Sequence, residues 1–260
     1  MPHMRRTLLA LYLLLCVASL LVADLAHAGV GMALRWDHCA GDAGTVNKDF
    51  ACDTNTGSET LVGSFMLSVP SPSTSGLEIV LTLASASPTL PAWWQFRNAG
   101  TCRLSSLAMT LAPPAGSANC ADWAPLGNSA GGIAAYTNYN GTLYPNMMRL
   151  ISAVAVPSTN LVDLTTDQEY FAFQYNINHA KTTGTGACGG CTTPMCIVLQ
   201  KIDVVTPTSH QALSTWWMSP DALYATWQGG NGVTTFLGTG CPAATPTRNA
   251  TWSGVKALYR

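Results

Sequence analysis

Short apolar runs, each soon broken by Gly, Pro, Ser or Asn, set the rhythm of this chain from residue 29 onward. Leu61 to Val69, Leu77 to Leu83, Met147 to Val156, Glu169 to Ile177 and Met195 to Val205 carry β-branched or aromatic residues, several in period-two alternation. In the fourth run Phe171, Phe173, Tyr175 and Ile177 are apolar, while Ala172, Gln174 and Asn176 are small or polar. That pattern predicts a strand with one face buried. After residue 28 no stretch keeps the i, i+3, i+4, i+7 pattern for the length a core helix needs, and helical turns are expected only near Ser219 to Tyr224 and Trp252 to Arg260. Regular short strands with Gly/Pro turns predict an all-β fold, a β-sandwich with the jelly roll among its forms. With no repeat of fixed period and no dividing linker, residues 29–260 read as a single domain, in which Ser68 to Gly76 is an interstrand loop.

The first 28 residues follow another logic. His3, Arg5 and Arg6 form a basic start, Leu8 to Val22 is almost wholly apolar, and Ala26-His27-Ala28 supplies the small residues that signal peptidase accepts. The apolar run is shorter than the roughly 20 residues of a membrane-spanning helix. Residues 1–28 are therefore read as a signal peptide cleaved after Ala28, which leaves no integral membrane anchor and predicts a secreted or periplasmic protein.

Charged residues make up 10% of the chain, and residues 29–260 hold 10 basic and 12 acidic side chains, a net charge of −2. A chain so poor in cations, with no basic stripe, argues against a nucleic-acid partner.

Eight cysteines remain after residue 28: Cys39, Cys52, Cys102, Cys120, Cys188, Cys191, Cys196 and Cys241. An even number in an oxidising compartment predicts four disulfides. Sequence proximity favours Cys39 with Cys52 and Cys102 with Cys120. The last four allow three pairings, of which Cys188 with Cys191 and Cys196 with Cys241 is preferred. Zinc is the competing reading, because His179 precedes Cys188, Cys191 and Cys196 and these are ligands of the right type.

Three further patterns carry chemistry. Gly127-Asn128-Ser129-Ala130-Gly131 matches G-x-S-x-G, the turn that exposes a serine nucleophile between a strand and a helix. Its partners would come from His179 or His210 with Asp163, Asp167 or Asp203. Pro125 before it and Gly132 after it suit a Gly-rich surface loop better. The stretch Asp53-Thr54-Asn55-Thr56-Gly57-Ser58-Glu59 places oxygen ligands on alternate residues, as calcium loops do, so Asp53, Asn55 and Glu59 are candidate ligands for a structural calcium; no other cofactor is implied. It departs from an EF-hand in having Ser64 where the twelfth-position glutamate belongs, and Asx-turns explain the same residues.

Trp93-Trp94 and Trp216-Trp217 are adjacent pairs. If they lie in strands, each pair sends one ring inward and one outward, and an outward indole can stack on a sugar. The polar loop from Asn178 to Thr193, with His179 and Lys181, is the next candidate binding element.

Asn178-His179-Ala180-Lys181, Cys188-Gly189-Gly190-Cys191 and the tail from Cys241 through Asn249, with Trp252 and Lys256 to Arg260, resemble recurring stretches of uncharacterised exported bacterial proteins. The resemblance spans most of residues 29–260 and implies bacterial export and a single domain, with no activity to transfer. The sequence thus predicts a non-catalytic exported structural, surface or ligand-binding protein, with a glycan or a cell-surface protein as partner and exposed tryptophans as the means. The alternative is an extracellular serine hydrolase using Ser129.

Overall fold

Strands β1 (Gly31–Trp36), β3 (Ser58–Met66), β11 (Glu169–Asn178) and β6 (Leu107–Thr110) lie side by side and antiparallel, and β7 (Cys120–Asp122) runs parallel to the first residues of β11. A second sheet has the order β2 (Asn47–Lys48), β14 (Tyr224–Trp227), β12 (Met195–Val205), β5 (Gly76–Ser85), β9 (Met147–Ala155), β8 (Ala130–Asn138), with β13 (His210–Ser214) pairing the far half of β12. A ribbon of β4 (Ser71–Thr74) and β10 (Val162–Leu164) completes the set, so the segment read as an interstrand loop holds a short strand. The computed structural model describes residues 31–100, 102–124, 128–138, 143–214, 223–233 and 241–242. The signal-peptide reading, Trp216, Trp217, Gly127 and the predicted C-terminal turn lie outside them. Among the described residues the only helices are short 3-10 turns, and none is long and apolar enough to cross a membrane.

Alternation explains the two layers. Leu77, Ile79, Leu81 and Leu83 of β5, with Ile197 and Leu199 of β12, face Leu61 and Phe65 of β3 and Phe173, Tyr175 and Ile177 of β11 in one buried cluster. Each such side chain contributes about 1.5–3 kcal/mol on burial. Cross-sheet hydrogen bonds accompany the packing: Tyr175 Oη donates to Ser152 Oγ at 2.7 Å, and Trp36 Nε1 donates to the Thr226 carbonyl at 2.9 Å. Register shifts reset the alternation in β12 and β11. One between Leu199 and Lys201 turns Ile202 and Val204 inward, and one between Phe171 and Phe173 turns Tyr170 inward. Phe171 therefore faces outward, packed with Val62, Cys39 and Cys120, against the expectation of unbroken alternation.

The four disulfides are Cys39–Cys120, Cys52–Cys191, Cys102–Cys188 and Cys196–Cys241. Only the last matches the expected pairing. The other three join segments 81, 139 and 86 residues apart, because the sandwich folds distant segments onto the same end or face. Four bridges fit an oxidising compartment outside the cytoplasm.

Candidate functional site

At one end of the sandwich the segments after β1, β5 and β11 converge. Cys52–Cys191 ties the first of these to the third, and Cys102–Cys188 ties the second to the third. Pro91 directs the chain into the 3-10 turn Ala92–Trp94, which buries both Trp93 and Trp94 completely. The inward-outward expectation fails here because the pair sits in a helical turn and not in a strand. The Trp93 ring stacks on Trp227 with centroids 5.1 Å apart, and Trp94 meets the same ring edge-on at 5.5 Å. Trp93 Nε1 donates to Thr182 Oγ1 and Trp227 Nε1 to the Cys191 carbonyl, so the polar edges of these indoles point to protein.

Arg103 lies buried over Trp93, its guanidinium carbon 3.6 Å from the ring centroid. It donates to the carbonyls of Trp93 and Asn178. Burial pushes its pKa down to about 9, which leaves it a cation at neutral pH.

A chain of charges runs alongside. Lys48 Nζ is 2.9 Å from Asp37 Oδ1 and 2.7 Å from Glu59 Oε2, and His179 Nε2 is 3.1 Å from Glu59 Oε1. For Lys48, burial lowers the pKa, but hydrogen bonds and charge pairing with Glu59 and Asp37 outweigh it, so the net direction is up. His179 is buried, stacked on Phe50 at 3.9 Å, with Nδ1 2.7 Å from the Thr56 carbonyl. Both ring nitrogens thus face oxygen atoms of the protein.

These partners settle the geometry of several predicted sites. His179, expected in a polar loop, is an interior tie. Cys188, Cys191 and Cys196 belong to three different disulfides, so they cannot join His179 as a zinc set. Glu59 is engaged by Lys48 and His179, and Asn55 clamps the neighbouring loop, its Oδ1 accepting from the Thr182 and Thr183 amides at 2.7 and 2.9 Å. Asp53 is exposed. Of the candidate calcium ligands, Glu59 and Asn55 therefore already have protein donors on their side-chain oxygens. Lys181 is exposed and donates to the Cys102 carbonyl at 2.8 Å.

Ser129 lies at the opposite end. Its Oγ donates to the Ala124 carbonyl at 3.3 Å, and the chain then enters β8, so the strand-to-helix turn of a nucleophile elbow is missing. The register Ala130, Ala155, Gly76, Val205, His210 crosses four strand pairings, which sets His210 about 19 Å away at about 4.8 Å per step. Asp163 caps the Ser73 amide, while Asp203 pairs with Lys201 and lies 3.4 Å from His210 Nδ1, so the structure joins that histidine and aspartate but holds them away from Ser129.

The stapled end also holds a feature that sequence reasoning missed, a cleft of about 470 Å³ lined by the start of the turn region, the end of β8 and the start of β9. Its lining residues are scattered from Thr89 to Met148 and share no motif. No family model, curated protein or solved structure matches the chain.

Proposed function

We propose that this chain is exported through residues 1–28 and acts outside the cytoplasm as a non-catalytic ligand-binding β-sandwich, with the stapled end as its binding end. What carries the reading is the cleft at that end, whose volume falls within the roughly 300–1,000 Å³ range of small-molecule sites. Support comes from the two bridges beside it, since loops positioned by a rigid scaffold are the usual carriers of binding. Lys48, Asp37, Glu59 and His179 nearby pair with one another or with the backbone, which suits a preformed surface better than acid-base chemistry. With Trp93 and Trp94 buried, any ligand contact at this end falls to the polar and aliphatic cleft residues.

Saturation-transfer NMR on the mature protein, run against a mixed panel of soluble glycans and small neutral, charged and apolar compounds, tests the reading. At least one saturable hit is expected, with chemical-shift changes concentrated in residues 86–100 and at the ends of β8 and β9. A panel without any hit would leave a purely structural role and sink the proposal.

A further inference from the structure

Among the described residues no acidic or basic side chain lines the cleft. Leu90, Pro145 and Met148 form an apolar wall, and Gln95, Thr137 and Asn138 supply amide and hydroxyl groups. Backbone and side-chain bonds hold this arrangement open. Leu90 N donates to the Pro145 carbonyl at 2.9 Å, Gln95 Nε2 donates to the Leu90 carbonyl at 3.0 Å, and Tyr136 Oη donates to the Trp94 carbonyl at 2.7 Å. Gly100 makes room for Gln95: a Cβ there would lie 2.1 Å from Gln95 Oε1. The amide nitrogen of Gln95 is thus engaged by the Leu90 carbonyl, and its oxygen packs against Gly100.

We infer that this cleft binds a neutral saccharide of one or two rings. The inference rests on the ligand-binding reading above and names its ligand class. A charged ligand would lose its hydration shell without gaining a counter-charge, a costly exchange. A purely apolar ligand would strand the amide of Asn138. A sugar ring presents hydroxyls that pair with amides and hydroxyls as both donors and acceptors, and its C–H face packs on the aliphatic wall. Thr137 and Asn138 stand exposed at the end of β8, where they are reachable from solvent.

Isothermal titration of the mature protein with neutral methyl glycosides and disaccharides, and with the matching uronic acids, tests this. Saturable binding of a neutral sugar is expected, with the uronic acid at least about tenfold weaker. Asn138→Ala should weaken binding about tenfold, the scale of one lost hydrogen bond. Thr89→Trp, at an exposed rim position, should block the cleft and abolish binding. Both variants replace exposed side chains and should keep the wild-type melting temperature. Equal binding by wild type and both variants would overturn the cleft as the site, and with it the stapled end as the binding end, while ligand binding by the protein stands. Binding of charged or apolar panel compounds alone would overturn the ligand class. Binding of nothing would overturn both.

Discussion

Arg103 is a buried cation that no carboxylate neutralises among the described residues; two carbonyls and the face of Trp93 hold it instead. A planar fork is what this niche requires, since it can stack and donate in two directions at once. Arg103→Ala should cost about 3 kcal/mol or more in urea unfolding, because two interior carbonyls lose a charged donor. Arg103→Lys should recover little of that loss, the ammonium being unable to stack as a plane. Tyr136 and Tyr175 show the opposite case, a neutral group held neutral. Both phenols are fully buried, and burial raises their pKa above the ordinary 10.0, with the Ser152 hydrogen bond opposing this slightly at Tyr175. An acid whose folded pKa is raised contributes stability that is complete below its unfolded value and is lost as pH climbs past it. In a titration followed at 295 nm, these two phenols should stay protonated above pH 10 until the fold opens, and Tyr136→Phe with Tyr175→Phe should remove that late, cooperative step.

At the scale of the strand, four of the five apolar runs were legible to within two residues, with Met195–Val205 and Glu169–Asn178 standing where alternation put them, while the run read as Leu61 to Val69 is the strand Ser58–Met66. Alternation is local physics, so a one-dimensional pattern reports it well. The register shifts were not legible. An extra residue resets which face is buried only relative to a partner strand, and the partner is a tertiary fact. Phe171 shows the consequence, as does Gly63 opposite Phe173: a Cβ at Gly63 would lie 2.1 Å from the Phe173 ring. Gly63→Ala should therefore destabilise by about 1–3 kcal/mol through overpacking. Adding Phe173→Leu should then cost less than the sum of the two single changes, the mark of a shared contact.

Across the whole molecule, the disulfides do what a sparse set of charges cannot. They close separations of 45 to 139 residues, and bridges over loops this long are worth about 4–5 kcal/mol each in the chain-entropy model when taken alone. Non-reducing peptide mapping should return the four pairs of this structure, and recovery of a Cys39–Cys52 or Cys188–Cys191 peptide would contradict it. Cys52→Ser with Cys191→Ser should lower stability by about 2–5 kcal/mol and loosen the cleft end, seen as faster hydrogen exchange in residues 50–57 and 179–194.

The sequence alone determined the fold class, the places of the five strands with long apolar runs and the even complement of bridging cysteines, because composition and alternation are properties of neighbours along the chain. Tertiary structure alone decided which cysteines meet, that Trp93, Trp94 and His179 are interior, and that a cleft opens between Thr89 and Met148. Each of these depends on where two sheets bring loops together, and pairing by proximity in sequence fails once folding makes distant loops the nearest neighbours in space.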